Sequence, residues 1–171
     1  MAAEYNDKVA FVTVGTTSFD ALIETVSSLP IISQLERLGY TKAVLQIGRG
    51  NFEPEEVSRT NFTLKYYRYK NSIADDIKDA DLVISHAGAG SVMETLEGGK
   101  PLIVVINEQL MGNHQIELAY QLYKDDHLQY CTCSTLEDTL KIFDASQLKP
   151  YPKGKPENFA SFLDKAMGLS R

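Results

Sequence analysis

The sequence predicts a doubly wound, mostly parallel α/β sheet of Rossmann-like type, and three observations carry that prediction. Short apolar runs rich in Val, Ile and Leu recur along the chain, amphipathic stretches of helical period separate them, and loops rich in Gly, hydroxyl or amide groups follow three of the runs. Strands that are apolar on both faces and alternate with helices mark a parallel sheet covered on both sides.

Val9 to Val14 (VAFVTV) reads as the first buried strand, ending at Gly15. Phe19 to Ser27 and Ile31 to Leu38 read as helix, broken at Pro30 and stopped by Gly39. Ala43 to Ile47 is a second strand that ends in Gly48-Arg49-Gly50, and Phe62 to Tyr69 is a third. A helix from Ser72 to Lys78 follows, with Ser72 as its cap and Asp75 in its first turn. Leu82 to Ser85 is a fourth strand; it runs into His86-Ala87-Gly88-Ala89-Gly90-Ser91 and a helix that Gly98-Gly99 stops. Pro101 opens the fifth strand, Leu102 to Ile106. Asn113 to Tyr123 is helical, with Ile116, Ala119, Tyr120 and Tyr123 as its apolar stripe. Gln129 to Cys133 is the sixth strand, and Thr135 to Phe143 a helix capped by Ser134. Lys149 to Pro156 reads as an extended strap before a last helix, Asn158 to Met167.

A chain of 171 residues suits one domain, 1–171, with 149–171 as a C-terminal strap and docking helix. The net charge of −6, with acidic residues scattered, excludes a generalised nucleic-acid surface and reads as solubility. The longest apolar runs are strand-sized, far below the roughly 20 residues of a membrane-spanning helix. MAAEYNDK has no basic region leading into an apolar run, so no secretory signal is read. Cys131 and Cys133 lie too close for a disulfide framework or a zinc knuckle, which suits reduced thiols in the cytosol.

In such sheets ligands bind beyond the carboxyl ends of the strands. The first loop there is Gly15-Thr16-Thr17-Ser18, whose hydroxyls beside free helix N–H groups suit phosphate oxygens; a helix cap made by Thr17 or Ser18 explains the same residues. The second is His86 to Ser91, where Gly88, Ala89, Gly90 and Ser91 let a diphosphate approach the main chain at a helix start. Glu94, one turn inside that helix, is placed for ribose hydroxyls, although a plain turn with a solvated Glu also fits. The third is Asn107 to Gln115, where Asn113, His114 and Gln115 bring groups that both donate to and accept from sugar hydroxyls. Convergence of all three loops on one sheet edge is what favours a site.

No Gly-x-x-x-x-Gly-Lys-Ser/Thr occurs, the first strand is not followed by Gly-x-Gly-x-x-Gly, and no Gly-x-Ser-x-Gly elbow is present. Neither a metal nor a cofactor is expected.

The run LVISHAGAGSVMETLEGGKPLIVVINEQLMGNHQIELA (82 to 119) resembles the donor-binding half of glycosyltransferase family 28. With FVTVGTTSFDALI (11 to 23) and LQIGRG (45 to 50), it is similar to the small-subunit family of the UDP-GlcNAc transferases of the dolichol pathway. The resemblance covers roughly residues 8 to 150 and implies one half of a GT-B enzyme. It implies that Gly88 to Ser91 hold the diphosphate, Glu94 the ribose, and His114 and Gln115 the GlcNAc hydroxyls. Gly15, Thr16 and Thr17 would face the interdomain cleft, and the uracil contacts would fall near Tyr66 to Tyr69. It implies an inverting, metal-free β1,4 transfer of the second GlcNAc to dolichyl-diphosphate-GlcNAc. The acceptor half would come from a membrane-anchored partner subunit that recruits this chain to the cytosolic face of the endoplasmic reticulum. No residue is singled out as the general base: it is expected on the partner or on an acidic residue of this chain, with His86 and His114 as the remaining candidates. Two rival classes stay open: a non-catalytic nucleotide-sugar module, and a stand-alone reductase or hydrolase.

Overall fold

Val9–Thr13 forms β1, with every residue after Val9 buried, and its neighbours on either side are parallel strands. A computed structural model describes residues 7–107 and 113–152, of which 113–115 are described by backbone alone. The remaining elements run α1 (Asp20–Val26), α2 (Leu29–Arg37), β2 (Lys42–Gln46), β3 (Val57–Arg59), β4 (Phe62–Tyr67), α3 (Ala74–Asp79) and β5 (Leu82–His86). They continue with α4 (Ala89–Glu97), β6 (Leu102–Ile106), α5 (Asn113–Lys124), β7 (Gln129–Thr132) and α6 (Leu136–Ile142). The sheet order is β3-β4-β2-β1-β5-β6-β7, with β3 antiparallel to β4 and every other pair parallel.

Alternate residues of each strand feed two cores. Ala10, Val12, Leu82, Ile84, Ile103 and Val105 face Leu22, Ile23, Ile32, Leu35 and Leu140 of α1, α2 and α6. Phe11, Val83, Leu102 and Val104 face Ile77, Val92, Met93, Leu96, Leu118 and Leu122 of α3, α4 and α5. β5 and β6 are apolar on both faces because both are covered, which is why no polar alternation shows in their sequences. The doubly wound class expected from the sequence is the class observed.

Several local expectations are corrected. Pro30 does not break a helix. The chain turns at Ser27–Ser28, and Pro30 lies in the first turn of α2, where its missing N–H costs no intrahelical bond. β3 went unread because three half-polar residues at a sheet edge carry no apolar signal. β4 ends at Tyr67, and α3 starts at Ala74, whose N–H Ser72 Oγ accepts at 3.1 Å. α6 is not capped by Ser134. Thr132 and Thr135 exchange capping bonds around a 3-10 turn, Cys133–Thr135, that leads into the helix. On α5 the sheet takes Leu118, Ala119 and Leu122, and leaves Ile116, Tyr120 and Tyr123 at 42%, 47% and 38% exposure. Two apolar stripes compete on that helix, and the tyrosines instead meet Tyr130 of β7 edge to face.

The expected helix 158–167 and the strap beyond Pro152 lie outside the described residues. Up to Tyr151 the strap is described: Lys149 N–H donates to Asp126 O at 2.7 Å, and Tyr151 packs edge-on against His127.

Candidate functional site

The strand order reverses at β1. From it the chain builds outward through β2 and β4 on one side and through β5, β6 and β7 on the other. Such a switch point opens a crevice between the loops leaving the two strands astride it, here β1 and β5. A cavity of about 500 Å³ lies there, lined by Gly15 and Thr16 after β1, by Tyr69 to Ile73 after β4, and by His86, Gly88, Gly90, Ser91 and Glu94 after β5.

The two glycine loops are shaped by His86. Its imidazole ends β5 and stands between them. A Cβ on Gly15 would lie 2.7 Å from Nε2, and one on Gly88 would lie 2.6 Å from the same atom. Gly15 also holds φ +67°, a left-handed conformation that glycine adopts without strain. Gly88, at φ −78°, has an ordinary backbone, so the imidazole is what excludes a side chain there. Burial lowers the imidazole pKa to about 4, because the charged form is poorly solvated between the loops. At neutral pH His86 is therefore uncharged and a weak proton acceptor, which disfavours it as a general base.

Gly88 is the N-cap of α4, and no side chain caps the helix. The first intrahelical bond there is Val92 N–H to Gly88 O, at 3.0 Å, so the N–H groups of Ala89, Gly90 and Ser91 precede the ladder. Beside Gly90 there is open space where a side chain would be. Uncapped N–H groups at the positive end of a nine-residue helix, opening on a cavity, suit an anion. Glu94 is exposed on the same cavity, one turn further on.

The opposite wall is the segment after β4. Tyr69 is 63% exposed at the rim, and Lys70 brings a positive charge, shared with Asp76 at 3.3 Å. Of the tyrosines expected near a base, Tyr69 lines the cavity, whereas Tyr66 packs toward the α1–α2 core and Tyr67 bonds Asp76 through its hydroxyl.

Gln46 is a lining residue that the sequence reading missed. It is 1% exposed and makes four hydrogen bonds at the ends of β1 and β4. The signal for it was a lone polar residue closing an apolar strand.

Of the expected site residues, Gly15, Thr16, Gly88, Gly90, Ser91, Glu94 and His86 come together at the cavity. Thr17 does not line it; its carbonyl accepts from Arg49 N–H at 3.1 Å. Ala89 contributes backbone at the helix start. Asn113, His114 and Gln115 form the first turn of α5, which the β6–α5–β7 crossover sets at the same sheet edge, but their side chains lie outside the described residues. Although no metal is expected from the sequence, Asp79-Ala80-Asp81 has the Asp-x-Asp spacing found in metal sites. It lies at the opposite, amino edge, where Asp81 Oδ2 accepts from Val9 N–H at 2.8 Å. Among the described residues no cluster of three or more His, Cys, Asp and Glu side chains could hold a metal.

Fold and crevice together define a Rossmann-like domain of the kind that forms one half of a GT-B glycosyltransferase. The chain belongs to the family of the glycosyltransferase family 28 C-terminal domain, whose model matches residues 9–167. It is 63% identical over 129 residues to the human UDP-N-acetylglucosamine transferase subunit ALG13, a match that covers 75% of this chain and 11% of that protein. Its fold is similar to the NMR solution structure of ALG13, with a TM-score of 0.71 at 24% identity over 92% of this chain and 95% of that one. It is also similar to crystalline Acinetobacter baumannii MurG, with a TM-score of 0.63 at 19% identity over 96% of this chain and 46% of that one.

Proposed function

We propose that this chain is the UDP-GlcNAc-binding subunit of a two-subunit inverting glycosyltransferase. In this reading it adds the second GlcNAc, through a β1,4 bond, to dolichyl-diphosphate-GlcNAc. The observation that carries the reading is the uncapped start of α4 opening on the same crevice as the Gly15 loop and the Tyr69–Ile73 wall. The relatives' names support the donor; they do not extend to the acceptor.

On this reading the N–H groups of Ala89, Gly90 and Ser91 receive the diphosphate, and Glu94 accepts from the ribose hydroxyls. Tyr69 borders the base, and Asn113, His114 and Gln115 meet the sugar. As the glycosidic bond breaks, negative charge grows on the departing UDP. Fixed N–H dipoles stabilise that charge without reorganising, and removing one such donor in other enzymes costs roughly 10²–10³ in rate. No metal step is needed. His86, neutral and wedged between glycines, shapes the crevice, and the general base belongs to the partner or to the sugar-side loop.

The relatives' designation as a subunit supports a partner chain, which we propose supplies the second domain. No helix among the described residues is long and apolar enough to cross a membrane. The lipid-linked acceptor is proposed to be presented by a membrane-anchored partner at the cytosolic face of the endoplasmic reticulum. Residues 149–171 are proposed to dock on that partner as part of the single domain. The test is transfer of radiolabelled GlcNAc from UDP-GlcNAc to lipid-linked GlcNAc in membranes carrying the partner. Transfer is expected with both present and none with the chain alone. Turnover by the chain alone would defeat the split-enzyme reading, and binding without transfer would leave a nucleotide-sugar module.

A further inference from the structure

We infer that Gln46 is a positioning residue for the nucleotide-sugar donor, coupling the two walls of the crevice through one buried amide. The inference rests on the donor-binding reading above and extends it to a residue that touches no ligand group in that reading.

The amide is saturated. Its Oε1 accepts from Thr13 Oγ1 at 2.6 Å and from Val14 N–H at 3.1 Å. Its Nε2 donates to Gly15 O at 2.7 Å and to Arg68 O at 2.9 Å. Thr13 Oγ1 in turn accepts from Gly15 N–H at 3.0 Å, so both main-chain groups of Gly15 are held through this pair of side chains. The orientation is dictated by the partners. A flipped amide would aim N–H at N–H and oxygen at two carbonyls. Gln46 and Thr13 are buried at 1% and 0% exposure in a largely apolar sheet, so each unmade bond would carry a desolvation cost.

Their location gives the network its role. Gly15 begins one wall of the crevice, and Arg68 immediately precedes Tyr69 and Lys70 of the other. β1 and β2 are paired and would be held together by their ladder alone, and so would β2 and β4. The Gln46 bonds go further. They reach past the last paired residues, Thr13 with Gln46 and Gln46 with Tyr67, and join the main-chain bonds Val14 N–H to Gln46 O at 3.3 Å and Gly48 N–H to Arg68 O at 2.9 Å, which link neighbouring strands only, by a direct tie from Gly15 to Arg68. One side chain thereby bridges directly the Gly15 loop, which meets the His86 imidazole, and the segment that would border the base.

The test is Gln46→Glu, assayed for UDP-GlcNAc KM and kcat in partner-containing membranes at pH 6 and pH 8. A glutamate keeps the shape and both acceptor contacts. When ionised it sets oxygen against the Gly15 and Arg68 carbonyls; when protonated it donates to one of them again. Burial and those carbonyls hold its titration above the ordinary carboxylate range. The expected result is a donor KM raised about tenfold at pH 8 with kcat within about twofold, and most of that rise recovered at pH 6. The wild type should show no such step. An unchanged KM at pH 8, a loss confined to kcat, or an equal KM rise at both pH values would overturn the inference. If the variant does not fold, Thr13→Val decides in the same assay: a several-fold, pH-independent rise in KM supports the network, and an unchanged KM overturns it. A wild type that fails to saturate with UDP-GlcNAc would instead remove the donor-binding reading, whatever Gln46 does.

Discussion

The imidazole of His86 occupies the space that a side chain on Gly88 would need, with its Nε2 2.6 Å from where that Cβ would be built. The glycine at position 88 is thus explained by a neighbouring ring. Because the backbone of Gly88 is ordinary, Gly88→Ala should fail through that clash alone. Its donor KM is expected to rise at least tenfold. Adding His86→Ala should restore part of the loss, and a double variant no better than the sum of the two singles would refute the steric account.

A neutral imidazole also makes stability depend on pH. His86 titrates at about 4 in the folded chain against roughly 6.5 when unfolded, so the unfolded state binds more protons between those values. That contribution to stability is present in full above pH 6.5 and is lost progressively as pH falls toward 4. From pH 7.5 to pH 5 the wild type is expected to lose about 2 kcal/mol more than His86→Gln, measured by urea unfolding. Parallel pH curves for the two proteins would show that His86 is not buried uncharged.

Glu94 is exposed, and its side chain makes no hydrogen bond or ion pair among the described residues, so its loss should leave stability nearly unchanged, within about 0.5 kcal/mol. If it grips the ribose, Glu94→Ala should raise the KM for UDP-GlcNAc and the Ki of UDP alike, by roughly tenfold. Unaltered values for both in the assembled enzyme would remove that role.

His114 is proposed to meet the sugar and not the nucleotide. His114→Ala is expected to weaken UDP-GlcNAc several-fold while UDP inhibits as before. Equal weakening of both ligands would place the side chain elsewhere.

The sequence by itself determined the layering of this protein. Val9 to Thr13, Leu82 to Ser85 and Leu102 to Ile106 are apolar on both faces, and only a sheet covered on two sides satisfies such strands. It also marked the Gly88–Ser91 turn, because glycine and small residues between a buried strand and a helix leave a readable local pattern. Other features depended on contacts between distant segments. The two apolar stripes of α5 are equivalent until the sheet selects Leu118 and Leu122 and leaves Tyr120 and Tyr123 outside. Gln46 looks like one polar residue at a strand end until the β1 and β4 loops close around its amide, and His86 like any histidine until two glycine loops fold against its ring. Periodicity along a chain records which residues leave water; which partner each one meets is decided only when segments tens of residues apart are brought together by the sheet.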